Sequence, residues 1–266
     1  MRTSPKLRVA SGIAMVLAIA VVGFVIRGAW SGVAADTPGV IAGTTQLAPA
    51  PQRFRLGAAG HNVIPKGAST IATARKRTVR VYAKAKGKRS RRLRARVFNG
   101  QRIPLTFLVV GRRKGWVRVS LPTRPNQSRG WLRRKAVDLS FTRLRIEVRR
   151  KARRLRLLEG KRVVSSTRIA LGKALSPTPP GRYYVTDVIK AKNPKGFYGP
   201  YALGLSAHST VYTSFAGGSG QVGIHGTNQP SALGKSVSHG CIRVRNDVIR
   251  RLARRVPLGT PVVIRG

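Results

Sequence analysis

Carboxylates are almost missing from this chain, which sets six Asp and Glu against 53 Lys and Arg in 266 residues. With so few acids, and with four histidines and one cysteine that lack zinc-ligand spacing, neither a metal site nor any other cofactor is expected. The single cysteine, Cys241, rules out an intramolecular disulfide. Aromatic residues make up only 6% of the chain and do not interleave its basic clusters. No helix-turn-helix or finger spacing is present either, so the net charge of +47 does not mark a nucleic-acid binder. Heptads and internal repeats are also absent.

What is there begins with a targeting segment. Arg2, Lys6 and Arg8 precede an uncharged apolar run from Val9 to Ile26, the layout of a charged n-region and a hydrophobic h-region. Eighteen residues are just enough to cross a bilayer as a helix, and the run is uniformly apolar where a core helix would be striped. Residues 1–35 therefore read as an uncleaved membrane anchor, with Val33-Ala34-Ala35 leaving a cleaved signal peptide as the alternative. Basic residues before the run outnumber those just after it, which places the N-terminus in the cytoplasm and the rest outside. In an exported chain, an unpaired thiol is expected to serve chemistry.

Residues 36–74 are rich in Pro, Ala, Gly and Thr and read as an extended spacer. From about 75 to 140 the pattern turns to short β segments, with Pro104 to Leu121 forming a hairpin around Gly111 to Gly115. Trp116 and Trp131 fit the core and lip of a small barrel. Residues 143–266 form a second, mainly β domain. Leu144 to Val148 and Arg154 to Leu157 alternate apolar with basic, as strands with one solvated face do. One helix stands out, with Asn246 as candidate N-cap, Val248, Ile249, Leu252, Ala253 and Val256 on one face, and Pro257 as its stop.

The chemistry concentrates in Ile224-His225-Gly226-Thr227 and Ser238-His239-Gly240-Cys241-Ile242-Arg243. A thiol attacks as its thiolate, and a nearby imidazole makes that form accessible near neutral pH. Two of four histidines lie within sixteen residues of the only thiol, so Cys241 reads as a nucleophile and not as a small buried hydrophobe. Gly240 permits a tight backbone, and the N–H groups of Gly240 and Cys241 are the natural oxyanion donors. Arg243, two residues on, shares a strand face with Cys241 and can either bind a substrate carboxylate or form an ion pair. Ser238, Thr227 and Tyr201 complete the candidate substrate-binding set. His239 either lines the oxyanion region or holds Ser238 and the loop. Phe197, Tyr198 and Tyr201 lie on a segment that either covers the site or packs in the core. His61 and His208 have no motif context and are read as surface residues.

H-G-T followed by S-H-G-C-I-R resembles the signature of the L,D-transpeptidase (YkuD-type) catalytic domain, over about Leu144 to Gly266. Thr178-Pro179-Pro180-Gly181 resembles the same family, and the 75–140 region resembles the bacterial SH3-like modules found beside cell-wall enzymes. The resemblance implies a YkuD-type β-sandwich with His225 as base, its ring held by the Gly226 carbonyl, and His239 beside it. It implies acyl transfer on peptidoglycan stem peptides, cleaving a tetrapeptide after its third residue and passing the acyl group to a diamino acid on a neighbouring stem. Water as acceptor would make a carboxypeptidase, and a protein amine an anchoring enzyme. Papain-like amidases and sortases fit poorly, through residue order and spacing. The contrasting reading is a non-catalytic, basic wall-binding protein. The arginine clusters at 75–96 and 143–168 suit the anionic polymers of a cell wall.

Overall fold

Alternation of apolar and basic residues sets most of the architecture. In Arg154–Glu159, Leu155 and Leu157 are buried while Arg154 faces water, so the strand has one solvated face. The structure, a computed structural model, describes residues 43–45, 49, 52–53, 64–98, 101–214 and 218–266. The fold is mainly β with one α-helix among the described residues. Residues 1–35, expected as anchor or signal peptide, lie outside them. Among the described residues no helix is long and apolar enough to cross a membrane.

The N-terminal sheet runs in the order Gln52–Arg53, Val137–Thr142, Ser69–Ala74, Thr106–Arg113, Trp116–Ser120, Arg129–Arg133, Thr78–Tyr82, Ser90–Arg94. Its core holds Ala72, Val79, Val81, Phe107, Val117, Val119 and Leu132. The expected hairpin is present, with Gly115 at φ +72° in its turn. Trp116 is buried against Tyr82 in an edge-on contact at 5.0 Å, and Trp131 is half-buried.

Two parts of the expected spacer are corrected. Ser69–Ala74 is an internal strand of this sheet, because Ile71 and Ala72 are completely buried. Farther back, Gly43–Thr45 pairs antiparallel with the far end of Gly181–Ala191. The β region thus starts before residue 75.

The second sheet runs Arg162–Arg168, Arg154–Glu159, Leu144–Arg149, Pro261–Arg265, Gly181–Ala191, Tyr201–His208, Gln221–His225, Ile242–Arg243. The closing strand Pro261–Arg265 is inserted parallel to Leu144–Arg149, which ties the two ends of the region together. The helix Asn246–Arg255 buries Val248, Ile249, Leu252 and Ala253 and packs on the two strands that precede the site. Burying each of its large aliphatic side chains contributes about 1.5–3 kcal/mol. Asn246 is not the N-cap. Arg245 occupies that position, and the Asn246 side chain is engaged elsewhere.

The two sheets meet through polar side chains of the first. Arg96 pairs with Asp187, which is buried, and donates to Gln221 Oε1 at 2.7 Å. Gln221 Nε2 donates in turn to Thr186 Oγ1 and to the Leu205 carbonyl. Asn126 exchanges two hydrogen bonds with the His208 backbone, at 2.7 and 2.8 Å. His208, expected at the surface, is buried by this contact.

Candidate active site

His225 ends one strand and Arg243 ends its parallel neighbour, with Ile224 opposite Ile242 and His225 opposite Arg243. That register brings Cys241 beside Gly223, whose backbone makes a hydrogen bond to the thiol. The fifteen residues between His225 and Cys241 leave the sheet and return to it. Sequence distance is thereby converted into adjacency.

The backbone around Cys241 is held at the carbonyls of Ser238, Gly240 and Cys241 and at the Gly240 N–H. Ser238 Oγ donates to the Cys241 carbonyl at 2.6 Å and accepts from the Gly240 N–H at 3.1 Å. Thr178 Oγ1 donates to the Gly240 carbonyl at 2.9 Å and accepts from the Gly172 N–H at 3.0 Å. Ser176 Oγ and the Lys173 N–H both donate to the Ser238 carbonyl. Gly240 sits at φ +119°, which favours glycine. The expected role of Gly240 as an oxyanion donor is corrected: its N–H is already given to Ser238. Ser238 braces the turn from within.

His225 is 1% exposed, and its Nδ1 donates to the Gly226 carbonyl at 2.7 Å. This leaves Nε2 as the acceptor. Burial holds the imidazole down to about 4, against the Gly226 hydrogen bond, with the charge of Arg243 adding to the lowering. Burial pushes the half-buried Cys241 thiol up, opposed by the Gly223 hydrogen bond and by Arg243. Both partners are therefore neutral at rest near pH 7.

The turn after His225 is fixed by a residue with no motif of its own. Asn246 Oδ1 accepts the Thr227 N–H at 2.8 Å. A Cβ at Gly226 would lie 2.3 Å from that oxygen and 3.0 Å from the Gly199 Cα, so only glycine fits. Thr227, expected to bind substrate, is buried, and its Oγ1 accepts the Gln229 N–H. It is a turn residue. Tyr201, in the same expected set, packs against the core, and its carbonyl accepts the Gly226 N–H. The aromatics that face the site are Tyr198 and Phe197, with ring centroids 4.9 and 5.8 Å from His225. Burial pushes the Tyr198 hydroxyl up to about 12, and the neighbouring thiol adds to the rise.

A cleft of about 430 Å³ opens on this group, lined by Phe197, Tyr198, Tyr212, His225, His239, Cys241 and Arg243 among others. His239 stands at its rim with its ring 5.9 Å from Tyr212. Burial lowers its pKa, and Lys173 and Arg243 lower it further. A second cleft of about 1050 Å³ also has Cys241 in its lining and is walled in part by Val97 and Phe98 of the N-terminal region.

Arg243 carries the site's electrostatics. It is 5% exposed, stacks 4.5 Å over the Phe197 ring and donates to Gln229 Oε1 at 3.3 Å. No carboxylate pairs with it among the described residues, and its Nε is buried without a hydrogen-bond partner. The ion-pair alternative is set aside, and a buried uncompensated cation aimed into a cleft remains. Among the described residues no group of His, Cys, Asp and Glu is arranged to hold a metal.

Part of the chain is similar to known proteins. The family YkuD, the L,D-transpeptidase catalytic domain, matches residues 143–264. A Bacillus licheniformis protein carrying the name L,D-transpeptidase YkuD is 42% identical over 120 residues, which is 45% of this chain and 64% of that protein. Its Bacillus subtilis namesake is 41% identical over 113 residues, 42% of this chain and 60% of that one. The chain thus spans less than two thirds of either relative. Among solved structures, the catalytic domain of the E. faecium L,D-transpeptidase is 27% identical and covers 46% of this chain and 96% of that one, at a TM-score of 0.34.

Proposed function

We propose, from the premise that residues 143–264 are a YkuD-family L,D-transpeptidase catalytic domain, that Cys241 is the nucleophile of a peptidoglycan L,D-transpeptidase. The observation that carries this reading is the tautomer of His225: Nδ1–H is held by the Gly226 carbonyl, so the acceptor Nε2 is the ring nitrogen left for a proton from the thiol. Because thiol and imidazole rest neutral, the nucleophile forms only as attack begins. The thiol proton passes to His225 Nε2 while sulfur adds to the carbonyl after the third residue of a tetrapeptide stem. His225 then gives that proton to the leaving amine, and the terminal D-alanine departs. In the second step the side-chain amine of a diamino acid on a neighbouring stem attacks the thioester. His225 takes the proton from that amine and returns it to the departing sulfur.

Oxyanion stabilisation falls to the Cys241 N–H, since that of Gly240 is engaged. Arg243 is assigned to an anionic group of the stem, because a carboxylate would supply the partner its guanidinium lacks. Ser238 and Thr178 are positioning residues. Water or a protein amine in place of the second stem would use the same first step. The wall-facing location rests on the apolar N-terminal segment, which lies outside the described residues, and 75–140 is read as an SH3-like module beside the catalytic domain.

The decisive test is intact mass after incubation with a carbapenem, a class of drug that typically acylates this family. A stable adduct on the wild type and none on Cys241→Ala is expected, with both proteins equally folded. An adduct that persists on Cys241→Ala would overturn the nucleophile assignment.

A further inference from the structure

Four arginines lie in one row across four adjacent strands. Arg265 is the register partner of Arg149, Arg149 of Arg154, and Arg154 of Arg168. Register partners in a sheet project from the same face, and all four are exposed. Their inward neighbours Val148, Leu155 and Ile264 are buried, so this face is the outer one. Strands stand about 4.8 Å apart, and the row therefore spans roughly 14 Å.

Like charges directly opposite one another destabilise a sheet, and no described carboxylate forms an ion pair with any of these four. The five described carboxylates are all committed elsewhere: Asp138 to Arg75, Glu147 to Arg145, Glu159 to Arg162 and Arg255, Asp187 to Arg96, and Asp247 to Arg245 and Arg251. The strand Arg154–Glu159 adds Arg156 to the same face, two residues along and opposite Glu147. A folded sheet has no use for four aligned guanidinium groups without a carboxylate partner. A linear polyanion laid across the strands does, because each fork can take a phosphate in bidentate fashion.

We infer that this row docks a wall polymer with a phosphodiester backbone. The basic strands Thr78–Tyr82 and Ser90–Arg94 of the N-terminal sheet contain one opposed pair, Arg80 and Arg92, and no comparable row. They give a control of equal charge. The choice of a wall polymer over other polyanions rests on the wall-enzyme reading, whereas the row itself does not.

The test uses the full chain and poly(glycerol phosphate) of defined length as probe. Replacing Arg149, Arg154, Arg168 and Arg265 together by Gln should weaken binding by more than tenfold at physiological salt. It should also flatten the slope of log affinity against log salt by about 3, at ~0.7 for each phosphate no longer neutralised. Replacing Arg80, Arg91, Arg92 and Arg94 by Gln should cost less than threefold. The double variant Arg149→Gln/Arg154→Gln should show an intermediate loss and serves should the quadruple variant not fold. Sacculi stripped of phosphodiester polymers should bind the wild type several-fold more weakly than intact ones. Equal losses in the two quadruple variants would overturn the inference in favour of net charge alone. Tighter row-dependent binding of double-stranded DNA than of poly(glycerol phosphate), or undiminished binding to stripped sacculi, would overturn the partner. Carbapenem acylation should stay unchanged in every variant, so its loss would bear on the catalytic reading and not on the row.

Discussion

The two sheets use the same composition in opposite ways. The N-terminal sheet buries apolar residues together with a few hydroxyls, Thr70, Thr106, Ser140 and Thr142, and turns its charges to water. Its one carboxylate, Asp138, pairs with Arg75 where both side chains are more than half exposed, an arrangement worth about 0–1 kcal/mol. The C-terminal sheet buries Asp187, His208, His225, Ser238 and Arg243. Buried polar groups are costly unless each finds a partner, and here His225 and Ser238 find theirs in the backbone of the turns they position, Asp187 and Arg243 in other side chains. One sheet tolerates exchange among its arginines. The other holds individual side chains to individual atoms, and among the described residues two of the five buried side-chain atoms without a hydrogen-bond partner, Arg243 Nε and His208 Nδ1, belong to residues that line the clefts.

Acid should break this symmetry most strongly. No histidine lies in residues 64–142, whereas the C-terminal sheet buries His225 with its pKa near 4, against 6.5 for the free group. Between those values the unfolded chain takes up a proton that the folded one refuses, so stability rises with pH through that window. The contribution is complete above about pH 6.5, declines as pH falls towards 4, and changes little below. Its size is about 3 kcal/mol, with His208, also lowered by burial and by Arg124 and Arg96, acting in the same direction. Hydrogen exchange by segment should show residues 181–244 losing protection at pH 4.5 while 69–142 keep theirs. The acid limb of kcat/KM should fall near 4. Equal loss in both sheets, or an acid limb at 6.5, would contradict the buried neutral base.

Arg243 tests the contrast at a single side chain. Arg243→Gln should raise KM for an anionic stem peptide by about 10–100-fold, the range of a lost charge-assisted hydrogen bond at 1.5–3 kcal/mol. Alkylation of Cys241 should also need higher pH, because Arg243 opposes the upward push of burial on the thiol. Arg118→Gln, removing an arginine that lies 5.9 Å over Trp131 in the other sheet, should change neither. An Arg243→Gln variant with unaltered KM and an unaltered alkylation profile would reduce Arg243 to a packing residue.

How much of this could be read beforehand follows from where each partner sits in the chain. His225, Cys241 and Ser238 come from one short stretch whose residue types are rare here, and so they stand out. Arg96 and Arg124 reach the walls of the site from far away in sequence, with common side chains whose partners are backbone or general polar atoms. Such pairings leave no spacing to detect. Asn246 shows how a sound rule misleads: an N-cap and a turn brace both use Oδ1 to accept a backbone N–H, and only the fold decides which N–H arrives. Likewise the Pro/Ala/Gly/Thr composition of 36–74 concealed Ser69–Ala74, whose alternation is too short to outweigh it.

The smallest effect is expected where the sheets touch. Arg124 donates to three carbonyls of the segment that walls the cleft, Ser209 at 2.6 Å, Tyr212 at 2.7 Å and Ser219 at 3.1 Å. Tyr212 in turn lies against His239. A Cβ at Gly220 would come within 2.1 Å of the Tyr212 carbonyl, so the segment is drawn in tightly at this point. Removing the guanidinium leaves three carbonyls to be satisfied by water at a partly open surface, a loss of about 1 kcal/mol. Arg124→Ala should therefore lower thermal stability slightly and raise KM three- to tenfold, with kcat and the alkylation rate of Cys241 nearly unchanged. Arg124→Lys should recover only part of KM, since a point charge cannot span three acceptors. A fall in kcat at constant KM would place Arg124 in the chemistry of the C-terminal sheet, and the separation between a tolerant sheet and an exacting one would then have to be redrawn through it.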